Sequence, residues 1–104
     1  METLDFTLES RPAEAARAQP TLCGVVGSGN LEVLIMPGDG NSCAVTVNTS
    51  AEGFHDTWQA VLKAFAQRHA VGSTRITIND LGATPAVVTL RLEQTLSAYL
   101  GSPR

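Results

Sequence analysis

Long apolar runs, clustered positive charge and metal-ligand spacings are all missing from this 104-residue sequence. Each absence closes off a class of function. No apolar run approaches the roughly 18 residues that a membrane span requires, so no membrane partner is expected. The seven Lys and Arg residues are scattered without a run or stripe and the formal net charge is -3, which argues against a nucleic-acid footprint. Two cysteines, Cys23 and Cys43, and two histidines, His55 and His69, show neither C-x-x-C nor H-x-x-x-H spacing, so no metal site is expected. Met1-Glu2-Thr3 leads into acidic residues rather than a basic and then apolar segment, so no secretory signal is expected, which favours the cytoplasm. In a reducing compartment both cysteines are expected to pack as small hydrophobes.

What remains is an ordinary folding composition, 43% hydrophobic and 16% charged, of a length that suits one domain over residues 1–104 with a single modest core. Leu4, Phe6 and Leu8 alternate with polar residues and predict an edge strand ending at Arg11-Pro12. Residues 12–20, Ala-rich with Pro at each end, read as a connecting segment. Leu22 to Val26 and Leu31 to Met36 predict strands, and a third runs through Cys43, Val45 and Val47 after the turn formers Pro37-Gly38-Asp39-Gly40-Asn41. Consecutive pairing of these strands predicts a meander.

Phe54, Trp58, Val61, Leu62, Phe65, Ala66 and His69 recur at helical spacing, so Trp58 and both phenylalanines are expected in the core. Ile76 and Ile78 mark a further strand. Thr84 suits an N-cap and Pro85 the first turn of a second helix through Val88, Leu92, Leu96 and Leu100, which Gly101 and Pro103 stop. The fold class is therefore α+β: a two-layer sandwich in which two helices cover one face of a mainly antiparallel sheet of about four or five strands.

The most informative local feature is Gly24-Val25-Val26-Gly27-Ser28-Gly29-Asn30, a serine between Gly27 and Gly29 at a turn joining two apolar runs. The nucleophile elbow of α/β-hydrolases needs glycines two positions either side of the serine and a helix after it; here those positions are Val26 and Asn30 and a strand follows. Neither His55 nor His69 is tied by sequence to this loop as a base. Phosphate-binding glycine loops precede a helix, and the P-loop adds Lys-Ser or Lys-Thr, which is lacking. On local signal alone a glycine-rich β-turn leads.

The wider sequence changes that balance. Val25-Val26-Gly27-Ser28-Gly29-Asn30-Leu31-Glu32-Val33-Leu34, the Pro37-Gly38 turn, Val47-Asn48-Thr49-Ser50 with Trp58 following, and Asn79-Asp80-Leu81-Gly82-Ala83-Thr84-Pro85 before Val87-Val88 and Leu90-Arg91-Leu92 together resemble the acyl carrier (delta) subunits of bacterial malonate decarboxylases, nearly end to end. The acyl carrier subunit of citrate lyase is similar more distantly. The resemblance implies that Ser28, in its Gly27/Gly29 loop, is joined through a phosphodiester to 2'-(5''-phosphoribosyl)-3'-dephospho-CoA, whose thiol carries acetyl and malonyl groups. It implies as partners the acyl-transferase and decarboxylase subunits, a malonyl-CoA:carrier transacylase and a prosthetic-group transferase, with no catalytic residue in the carrier itself. Asn30 departs from the family pattern, which has an acidic residue there. Asp80 reads as a polar turn residue between strand and helix rather than a contact of the carried group.

Three readings of the Ser28 loop compete: a covalent carrier, a non-catalytic binding or scaffold module in which the loop is only a turn, and a small hydrolase or transferase using Ser28 directly. A carrier of a citrate lyase-type complex is an alternative within the first. A conventional helical acyl carrier protein, with Asp-Ser-Leu opening a helix, does not fit this strand-rich pattern.

Overall fold

In a computed structural model, residues 2–13, 20–23, 31–38 and 40–101 are described. Period-two alternation gives β1 (Glu2–Glu9), β3 (Leu31–Pro37), β4 (Ser42–Thr49) and β5 (Thr74–Asp80), with the short β2 (Thr21–Cys23) beside them. Helix α1 (His55–Arg68) lies between β4 and β5, and α2 (Pro85–Tyr99) closes the sequence of elements. The five strands form one sheet in the order β1-β4-β5-β3-β2.

One face of that sheet carries Leu4, Phe6, Leu8, Val33, Val45 and Ile76, all buried. Helix α1 covers it with Trp58, Leu62, Phe65 and Ala66, and α2 with Val88, Leu92, Leu96 and Tyr99, spaced three or four residues apart as an amphipathic helix requires. The other face is more open and mixes polar side chains with the half-buried Leu34, Met36 and Ala44. There Thr3 donates to Asn48, Asn48 to Asn79, and Asn79 to Glu32 at 3.0, 3.1 and 2.9 Å, a hydrogen-bond row crossing four strands. The two-layer α+β sandwich with helices on one face is thus the observed architecture.

The strand order departs from a meander. β3 and β4 are not paired: β5 lies between them, antiparallel to β3 and parallel to β4. A hairpin-length connection is no guarantee of a hairpin. The gap between next-but-one strands is about 9.5 Å, which the few residues after Pro37 can bridge. The helical crossover through α1 lets β5 return parallel to β4, and Ile76 and Ile78, fully buried, take the central position. Gly38 permits the insertion, since its N–H donates to the Ser73 carbonyl at 3.0 Å and a Cβ on it would meet the Thr74 carbonyl carbon at 2.8 Å.

The connecting segment starts tied down. Pro12 bridges to Gly72, and the Ala13 N–H donates to the Gly72 carbonyl; residues 14–19 lie outside the described residues. The Ser10 hydroxyl sits 3.1 and 2.9 Å from the Ala66 and His69 carbonyl oxygens, gathering the C-terminal end of α1 onto the end of β1.

Candidate functional site

Ser28 and its glycines Gly27 and Gly29, with Asn30, fall outside the described residues. The two described flanks of that loop, Cys23 closing β2 and Leu31 opening β3, place its roots. Leu31 pairs in register with Asp80, the last residue of β5, and Asp80 pairs with Thr49, the last of β4. The loop therefore starts from the end of the sheet at which β4 and β5, parallel neighbours, release the turns leading into α1 and α2. In open sheets with parallel strands, carboxyl ends of strands are where ligands gather.

Asp80 organises this end. It is only 3% exposed, yet both of its carboxylate oxygens are satisfied. Oδ2 accepts the Thr49 hydroxyl at 2.8 Å, and Oδ1 accepts the backbone N–H groups of Gly82 and Ala83 at 3.2 and 2.8 Å. Thr49 Oγ1 in turn accepts the Ala51 N–H at 3.1 Å. One carboxylate thus fixes both turns. This bears out a structural role in the turn, which asparagine-aspartate-x-glycine sequences adopt because the short side chain bonds the backbone two or three residues on.

Between the starts of α1 and α2 these turns enclose a cavity of about 310 Å³, the small end of the range typical of ligand sites. Phe54, Trp58, Val61, Ala83 and Val88 make its walls mostly apolar, and Asp80 is the one acidic or basic residue among its described lining residues. Phe54 corrects the expectation that both phenylalanines of the α1 region are core. It is the N-cap of α1, with non-helical φ and ψ of -111° and 25°, and is 50% exposed on the cavity rim, whereas Trp58 and Phe65 are buried. The helical stripe ends where helical dihedrals end. Thr84 caps α2 as expected, accepting the Val87 N–H at 3.3 Å, with Pro85 in the first turn.

The histidines stand away from this end or make local contacts. His69 terminates α1, packs with its ring tilted 46° and its centroid 5.1 Å from that of Phe65, and lies 3.3 Å from Glu93, which also accepts Arg68 at 3.2 Å. The hydrogen bonds from His69 and then Arg68 hold the Glu93 carboxyl below its ordinary range. His55 packs on Phe6 and sits 3.2 Å from Asp56. Cys43 is fully buried, and that burial pushes its thiol up despite a hydrogen bond from Thr74. Among the described residues no group of three or more His, Cys, Asp or Glu side chains stands together as a metal site, and no helix is long and apolar enough to cross a membrane.

Sequence reasoning found the Asp80 turn but not Thr49 as its partner, nor the cavity, whose walls come from residues 51–61 and 80–88. The only local signal was Phe54 standing just before a helix start.

Similarity to known proteins runs along nearly the whole chain. A family model for the malonate decarboxylase delta subunit (MdcD) matches residues 18–99. The malonate decarboxylase acyl carrier protein of Acinetobacter calcoaceticus is 54% identical over 102 residues, spanning 97% of this chain and 99% of the relative. That of Burkholderia cepacia is 55% identical over 95 residues, covering 90% and 86% of the two chains. A chain in the crystal structure of a Pseudomonas malonate decarboxylase hetero-tetramer in complex with malonate superposes with a TM-score of 0.84 at 37% identity, over 95% of this chain and 99% of that one.

Proposed function

The chain belongs to the malonate decarboxylase delta-subunit family of acyl carrier proteins, and on that premise we propose that Ser28 is the residue through which it carries its acyl group. The attachment is a phosphodiester from the Ser28 oxygen to 2'-(5''-phosphoribosyl)-3'-dephospho-CoA. That group supplies a terminal thiol able to hold acetyl or malonyl as a thioester. All remaining contributions are the chain's own, and they are mechanical.

The observation that carries this reading is the family match spanning the serine, residues 18–99, taken with the architecture at the loop's roots. Leu31, 1% exposed and paired to Asp80, anchors the loop's exit in the rigid sheet. Gly27 and Gly29 bring no side chains to crowd a transferase that forms the ester while the hydroxyl proton is lost and the donor's polyphosphate departs. The site end fits a carried group: the cavity beside Asp80 has the apolar walls and the volume for a small organic moiety. A tethered substrate gains effective concentration at each partner's site without any acid or base on the carrier.

On this reading the partners are the acyl-transferase and decarboxylase subunits, a malonyl-CoA:carrier transacylase and a prosthetic-group transferase, all in the cytoplasm. Reconstitution tests it. A complex containing Ser28→Ala should lose malonate turnover by about a thousandfold or more, because no thiol is delivered. Undiminished turnover would instead identify the chain as a scaffold module.

A further inference from the structure

We propose that the cavity between the N-terminal ends of α1 and α2 is a resting site for the acyl end of the carried arm, and that it takes acetyl in preference to malonyl. The proposal rests on the reading of Ser28 as attachment point.

Reach comes first. Three peptide units separate Ser28 from Leu31, so covalent geometry alone holds their Cα atoms within about 11 Å. Leu31 is the register partner of Asp80, and antiparallel partners stand about 5 Å apart. Asp80 lines the cavity. The sum is shorter than an extended arm of coenzyme length, so the arm can fold back to the cavity without leaving its own carrier.

Chemistry selects what enters. Phe54, Trp58, Val61 and Val88 offer apolar walls to a methyl group and to the methylenes behind a thioester, within about 310 Å³. Neither Lys nor Arg lines the cavity, while the Asp80 carboxylate does. A malonyl carboxylate placed there loses water and gains a like charge; an acetyl group does neither. The N-termini of α1 and α2 pull the other way, since each carries about half a positive charge, α1 without a side-chain cap and α2 capped only by the neutral Thr84. Asp56 in the first turn of α1 offsets part of that charge, and Asp80, with no Lys or Arg beside it in the described lining, stands against the rest. Acetyl is therefore the preferred occupant. The consequence is directional: the acetyl form is sheltered between visits, and the malonyl form is left free to meet the decarboxylating partner.

The test uses the unmodified chain, methyl-labelled for NMR, with free S-acetyl-pantetheine and S-malonyl-pantetheine as probes. The proposal expects saturable shifts of the Ala51, Val61, Ala83 and Val88 methyls and the Trp58 indole, at millimolar probe, the regime in which a tethered group is mostly bound. The malonyl probe should bind at least about fivefold more weakly. Ala83→Leu, or Ala51→Leu if the first perturbs folding, should abolish acetyl binding, and Asp80→Asn should narrow the preference. Shifts scattered over other surfaces, or none at tens of millimolar probe, overturn the site; equal affinities overturn the selectivity. Free probes do not need Ser28, so failure to find an adduct on Ser28 leaves this result standing. Absent binding in a chain that does take the adduct removes the cavity proposal alone.

Discussion

The Thr49 hydroxyl donates to Asp80 Oδ2 at 2.8 Å, joining the last residues of two parallel strands beneath the turns that open both helices. Removing the carboxylate leaves that hydroxyl and the Gly82 and Ala83 N–H groups without their acceptor. Asp80→Ala should therefore cost about 2–4 kcal/mol in urea unfolding, and Thr49→Val about 1–2 kcal/mol. The double mutant should fall short of the sum, because the two share one bond. Simple additivity would mean that the pair is not coupled.

Two glycines separate steric from conformational need. At Gly72 a Cβ would meet the backbone oxygens of Ser10 and Asn41 at 2.5 and 2.7 Å, so Gly72→Ala must push apart the end of β1 and the approach to β4, costing about 2–4 kcal/mol. At Gly40, φ is +78° and nothing lies within 4 Å. Gly40→Ala should cost only about 1 kcal/mol, from backbone strain. Thermal melts of the two variants distinguish the causes by the size of the gap between them.

The strands and helices were legible because burial follows period. Leu4, Phe6 and Leu8 point one way in β1, as do Ile76 and Ile78 in β5, and the α1 stripe appears as Trp58, Leu62, Phe65 and Ala66. Strand order was not legible, since alternation records which face is buried and not which neighbour is paired; β5 took the place a meander assigns to the contact between β3 and β4. Phe54 misled because helical spacing continues on paper beyond the residue at which helical dihedrals stop. Asp80 was read correctly as a turn residue, but its bond to Thr49 spans 31 positions and no local pattern announces it. The cavity is likewise the product of two distant turns.

Cys43 should behave as a packed hydrophobe. Its thiol is buried and raised by desolvation, so in a Cys23→Ser background the native protein should react with a thiol reagent at pH 8 far more slowly than the urea-unfolded chain. Equal rates in the two states would mean that the end of β4 opens readily.

Glu93 gives the fold an acid-side dependence. Its pKa is lowered by His69 and Arg68 relative to an ordinary carboxyl, so the stabilisation is present above the unfolded value, near 4.5, and disappears as pH falls through the depressed folded value. The pair is exposed, with side chains 47% and 42% accessible for Arg68 and Glu93, so the effect is small and screened by salt. Glu93→Gln should melt slightly below the parent at pH 7 and together with it at pH 2.5. A difference that persists at pH 2.5 would assign it to packing.

The central claim, that Ser28 anchors the carried group, is tested most directly by intact mass spectrometry of the chain produced together with its prosthetic-group transferase. The parent protein should gain the mass of one phosphoribosyl-dephospho-coenzyme A less one water, the polyphosphate leaving with the activated donor, and Ser28→Ala should run at the unmodified mass. An adduct of the same size on Ser28→Ala would contradict it.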